Sequence, residues 1–207
     1  MALPTPAVYA PALTADRLQK VADWLLDELQ ATEDDLTRPT DTRWTKGCTT
    51  FGRQHSRIVA EWQSGNHPWL GMLDASNALV FTIGEVPCRF SNDDPDNPSK
   101  KAVLGVNPYQ RAFAEFFSPE LPVHYCFVVD RGMDGLADPY VVLHGLSDSN
   151  QIVCRWVSDS VPAFRVETES QPAAVEVQKR ALSAKHLGEV SEQDPQRTED
   201  GDMSGSV

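Results

Sequence analysis

Apolar residues recur along this chain in two rhythms, and the change between them divides it. From Thr14 onward, Leu18, Val21, Ala22, Leu25, Leu26 and Leu29 return every three or four residues, the spacing of one helix face. Thr14 stands where an N-cap is expected and Asp16 suits the positive end of the helix dipole, which predicts an amphipathic helix to about Gln30. Its other face carries Asp23, Asp27 and Glu28, followed by Glu33, Asp34 and Asp35. That face reads first as solvated surface and second as an acidic docking surface. Pro39 and Asp41 mark a loop, and Ile58, Val59 and Trp62 predict a second, short helix beyond Gly52 that ends near Ser64 and Gly65. Gly47 and Gly52 make the stretch before it a turn or a strand-to-helix junction.

After the turn at Ser64 to Pro68 the period shortens. Residues 69–73, 78–83 and 86–90 are short, apolar and rich in β-branched or aromatic side chains, as in an antiparallel meander. Residues 91–101 have loop composition. Pro108, then Tyr109, Ala112, Phe113, Phe116 and Phe117, predict a helix with an aromatic face that ends before Pro119 and Pro122. Residues 123–129 are apolar on both faces, which suits a central strand. A turn over 132–139 precedes a hairpin, 140–146 with 151–157, around the polar turn 147–150. The order of elements predicts an α+β fold, a mainly antiparallel sheet of about five to six strands packed by about two to three helices.

Residues 1–13 are a proline-rich, extended lead-in, 14–163 a single domain, and 164–207 a tail with an exposed helix over 172–187. From Gly188 onward, Glu189, Glu192, Asp194, Glu199, Asp200 and Asp202 face only Arg197 and almost no large apolar residue, a composition that predicts disorder.

Charge sharpens this picture. A net charge of -12 on 207 residues disfavours a general polyanion binder, because the mean field repels phosphate. Screening beyond about 8–10 Å still permits a local basic patch. Cys48, Cys88, Cys126 and Cys154 show no zinc-ligand spacing, and three of them lie in apolar runs as buried thiols do. No metal or cofactor is expected. The lead-in lacks a basic signal region and no apolar run reaches the roughly 18–20 residues of a membrane span, so the cytoplasm is the expected location.

The candidate site is the one cationic, glycine-punctuated segment: Arg43, Trp44, Lys46, Arg53, His55 and Arg57. Arg53 and Arg57, four apart on a helix, share a face that can grip a phosphate or carboxylate, and Trp44 and Phe51 can stack on a base. The segment lacks the Lys-Ser/Thr pair of a Walker A loop. A competing expectation is that these arginines pair with the acidic face of the first helix. His124, Cys126 and His144 suggest a Cys-His arrangement, weighed against an inert buried thiol. Asp74 and Glu85 flank strands, as metal-holding carboxylates of nucleases do, but without the usual Glu-x-Lys. The residues thus point to a non-enzymatic binding or accessory module. It presents the basic segment to an anionic ligand, nucleic acid or acidic protein surface. The alternative is a small metal-dependent hydrolase or nuclease using Asp74 and Glu85.

Overall fold

The computed structural model describes residues 3–114, 122, 124–132 and 137–159. The chain divides into two units, residues 1–165 and 166–207, and every described residue belongs to the first. The helix expected over 172–187 and the disorder expected over 188–207 lie outside the described residues, as do Phe116 and Phe117.

Helix α1 (Ala15–Asp35) buries the predicted stripe together with Trp24 and Thr32. It runs past Gln30 because Thr32 turns inward and donates its hydroxyl to the Glu28 carbonyl at 2.7 Å. Helix α2 (Arg43–Ser64) departs from expectation. It begins before the two glycines, with Thr42 as its N-cap accepting from the Thr45 amide at 3.2 Å. Gly47 and Gly52 lie inside it. A glycine costs a helix interior about 1 kcal/mol but stops it only where a left-handed conformation is needed. Here that conformation comes at Gly65, the C-cap, with φ 69°. Burial of Thr50, Gln54 and Ile58 against the rest of the domain holds the helix through both glycines.

Six strands form one sheet in chain order: β1 (Leu70–Asp74), β2 (Val80–Ile83), β3 (Val86–Asn92), β4 (His124–Asp130), β5 (Tyr140–Leu146) and β6 (Ile152–Val157). Four of the five pairings are antiparallel, and β3 with β4 is parallel. The fold is therefore α+β. The parallel pair is joined by α3 (Lys101–Leu104), a single turn within the stretch expected to be loop or just beyond it, and α4 (Pro108–Ala114).

Helices α1 and α2 cover one sheet face, where Phe81, Phe90, Tyr125, Phe127, Val129 and Leu143 join one core with Leu18, Leu25 and Ile58. Trp24 stacks on Trp69 with centroids 6.0 Å apart, and Phe81 on Phe127 at 5.9 Å. The opposite face of β4 is also dry, with Cys126 and Val128 packed under Val103 of α3. The lead-in is not merely extended. It forms a 3-10 turn at Pro6–Val8, buries Ala10 and Leu13 in the core, and accepts a hydrogen bond from the β6 amide of Arg155 at the Pro4 carbonyl, 3.2 Å.

Two glycine substitutions test this arrangement. A methyl group added at Gly52 would meet nothing within 4 Å, so Gly52→Ala should raise unfolding free energy by about 0.5–1 kcal/mol through helix propensity. A methyl group on Gly145 would collide with Cys154 Sγ on the facing strand, so Gly145→Ala should lower it by about 1–3 kcal/mol. Urea titrations that rank the two variants the other way would contradict the placement of α2 and the β5–β6 register.

Candidate functional site

The cationic segment is one continuous helix, and the fold divides its charges between two environments. Arg53 Nη1 meets Asp35 Oδ2 at 2.8 Å. Arg57 reaches Glu61 Oε1 at 2.7 Å through Nε and Glu28 Oε1 at 3.4 Å through Nη1. Burial opposes the Arg57 charge, but the Glu61 and Glu28 carboxylates outweigh it and hold the guanidinium above its ordinary range. The contacts with Asp35 and Glu28 are those expected with the acidic side of α1, and Glu61 belongs to α2 itself. His55 Nε2 donates to the Ser76 carbonyl at 3.0 Å, and Phe51 stacks on Phe90 at 5.2 Å, so Phe51 is committed to the core edge.

Arg43 and Lys46 lie elsewhere, on the first turn of α2, where they line a groove of about 660 Å³. The opposite wall is the end of β4 and the chain beyond it, including Arg131, Gly132 and Asp138, and α1 contributes Glu33. Arg131 follows the last residue of β4, so the strand end aims it back across the first turns of α2. Its Nη2 donates to Thr50 Oγ1 at 2.7 Å and to the Lys46 carbonyl at 3.3 Å. Gly132 takes φ 71° to turn the chain away, with its amide held by Asp130 Oδ1 at 3.0 Å. Lys46 Nζ pairs with Glu33 Oε2 at 2.5 Å. Among the described residues, Arg43, Lys46 and Arg131 line the groove with the carboxylates of Glu33 and Asp138. The N-terminal end of the α2 dipole adds positive potential. Trp44, beside these residues, is 77% exposed.

A polar seam beneath the groove joins helices to sheet. Gln54, fully buried, donates to the Leu25 carbonyl of α1 at 2.8 Å and accepts from Asn92 Nδ2 of β3 at 2.9 Å. Arg131 was outside the sequence-derived segment. The only local signal for it was a lone arginine between an apolar strand and a glycine.

The remaining candidates do not assemble. Asp74 pairs in register with Val80 at one end of β2, whereas Glu85 lies in the turn beyond Ile83 at the other, and the strand between spans about 10 Å at 3.3 Å per residue. The Ser76 hydroxyl and amide hold Asp74 below the usual carboxylate range, and Glu85 borders an apolar cleft of about 330 Å³ with Tyr9 and Phe113. Arg53, paired with Asp35, completes no pocket with either. Among the described residues no group of three or more His, Cys, Asp and Glu side chains is placed to hold a metal. Cys126 faces His144 across the β4–β5 pairing, but burial pushes its thiol up to about 12, and its Sγ lies against backbone carbonyls of Ala102 and Phe127. Cys88 and Cys154 are buried too, and Cys48 is exposed. No helix among the described residues is long and apolar enough to cross a membrane.

Compared with protein-family models, curated proteins and solved structures, the chain matches none.

The two environments differ in what substitution should do. Arg53→Ala removes an ion pair whose side chains are 34% and 62% exposed and should change stability by less than about 1 kcal/mol. Gln54→Ala takes away the acceptor of the Asn92 amide and the second hydrogen bond of the Leu25 carbonyl and leaves a void in the interior, and should cost about 2 kcal/mol or more. Equal losses in denaturant titrations would show that the seam is not buried as described.

Proposed function

We propose that this domain is a non-enzymatic binding module whose α2 groove takes an oxyanion, a phosphate or carboxylate group, of a ligand or partner. One observation carries the reading. Arg131 is only partly exposed, and its hydrogen bonds go to two neutral oxygens, with no carboxylate partner among the described residues. A partly buried guanidinium with no described carboxylate beside it favours an anion, and its planar edge suits a bidentate oxyanion. Arg43 and Lys46 line the same groove, at the positive end of the α2 dipole, and add to that attraction. Trp44 supplies an exposed flat surface beside the groove for the rest of the bound molecule. Within a chain of net charge -12, such a small basic patch acts at short range and selects for a compact anionic group over an extended polyanion. Arg53, His55 and Arg57 belong to the support of α2 in this reading. Four free thiols, one of them exposed, suit a reducing compartment such as the cytoplasm.

The test is an NMR titration of the isotope-labelled full chain with inorganic phosphate, citrate and a short single-stranded oligonucleotide in turn. At least one probe should shift the Arg43–Lys46 amides and the Arg131 side chain saturably, with affinity falling as salt rises. Arg131→Gln, confirmed as folded by its amide spectrum, should weaken that binding by about tenfold or more. Binding retained in full by Arg131→Gln, or no shift at these positions with any of the three probes, refutes the proposal.

A further inference from the structure

The face of the sheet turned away from α1 and α2 is covered by the chain between β3 and α4. Its base is tied at the end of β3, where Asp93 Oδ2 accepts the amides of Lys100 at 2.8 Å and Ser99 at 2.9 Å, and the Lys100 ammonium donates to the Asn92 carbonyl. From there the strap runs over β4 and β5 and is fastened by two histidines from the sheet. His144 Nε2 donates to the Pro95 carbonyl at 2.8 Å, and His124 Nε2 to the Val103 carbonyl at 2.9 Å. Beneath it, Val103 seals Cys126 and Val128 from water.

Both imidazoles are buried, at 0% and 1% exposure. A carbonyl can only accept, so each Nε2 carries the proton, and in the neutral ring Nδ1 is a bare acceptor. Both Nδ1 atoms are buried and meet no partner among the described residues. A neutral ring tolerates this at modest cost. A second proton would place an N–H with nothing to receive it, and a positive charge, inside a dry layer.

We propose that residues 93–105 form an acid-released latch, closed over Cys126 and Val128 while His124 and His144 are neutral and lifted when they take up protons. The surrounding charges are divided. His124 faces Arg89 of β3, which opposes protonation, and Asp148 of the β5–β6 turn, which favours it. His144 faces Arg155 of β6 and, on the strap, Asp96, and those two groups are themselves paired at 3.0 Å. Lys100 and Lys101 of the strap are exposed. Burial is the largest influence on both rings and lowers both below 6.5, against the opposing pull of the carbonyl hydrogen bonds. Because the closed state holds these values down, closure is at full strength above about pH 6.5. It weakens as pH falls from there toward the lowered values, where the open state binds more protons. The Asp93 tie does not titrate away in this window. Burial raises its carboxyl, but the Lys100, Ser99 and Asp94 amides outweigh that and keep it below the usual range. With both fastenings on one strap, release by either proton exposes the other ring, so opening draws in both.

Hydrogen–deuterium exchange on the full chain, corrected for the intrinsic pH dependence of exchange, tests the latch at pH 7.5 and pH 5.0. Protection of the Ser99, Lys100, Val103 and Leu104 amides should fall by about tenfold or more at the lower pH while α1 and β2 keep theirs. Nitrogen-15 imidazole spectra of the wild-type protein should show the Nε2–H form at both sites and titration in step with that loss. His124→Gln/His144→Gln retains an amide donor at each fastening without a titrating group and should make strap protection independent of pH. Unchanged strap protection at pH 5.0, loss of protection across the whole domain in the same step, or Nδ1–H imidazoles at pH 7.5 would each overturn the proposal, whether or not the double variant folds.

Discussion

The parallel pairing of β3 and β4 is the constraint from which the rest of this structure follows. Antiparallel neighbours are joined by tight turns at one end of the sheet, and β1–β2, β2–β3 and β5–β6 are joined in that way. A parallel pair cannot be, because its connection must return to the starting end and therefore crosses a face of the sheet. Residues 93–107 and α4 are that crossing. Their presence explains why β4 is apolar on both faces and why buried histidines are useful there. A strap has backbone carbonyls with no strand to pair with, and a neutral imidazole reaching up from the sheet supplies the missing donor.

The same pairing sets the carboxyl ends of β3 and β4 side by side under α2. Asn92 leaves one strand end and engages Gln54, and Arg131 leaves the other and engages Thr50 one turn earlier on the same helix. The groove and the polar seam are two parts of one junction. Its cohesion owes little to the ion pairs between α1 and α2, which are partly exposed and screened, and more to buried hydrogen bonds that cannot be exchanged for water. Lys46, Arg53 and Arg57 all pair with carboxylates of α1, so much of the positive charge of α2 is neutralised by its neighbour.

Periodicity exposed much of this in advance. The Leu18 to Leu29 stripe, the meander, the two-faced strand at 124–130 and the hairpin after it all appear where hydrophobic spacing places them, because burial of an apolar face decides them locally. The misreadings have a common cause, since each depends on partners distant in sequence. Gly47 and Gly52 look like breaks because their local cost is visible, whereas the burial of Thr50, Gln54 and Ile58 that outweighs it is not. A lone Arg131 gains meaning only when the β4 end is brought beside α2, 81 residues from Thr50 in sequence. His124 and His144 look like chemistry in the sequence, and their place under the strap turns them into fastenings.

The contact between Pro4 and β6 bears on how this protein keeps its sheet to itself. An open six-stranded sheet has two outer strands whose unpaired amides and carbonyls invite another chain to add on. At β6, the Arg155 amide is already taken by the Pro4 carbonyl, and the neighbouring Pro6 and Pro11 have no N–H with which a ladder could continue outward. At the other border, β1 carries a register shift between Met72 and Asp74 that breaks the flat run of its free edge. The proline-rich lead-in thus lies against β6 as a blunt end-piece, taking up the outward amide of Arg155 with a segment whose prolines cannot donate in turn.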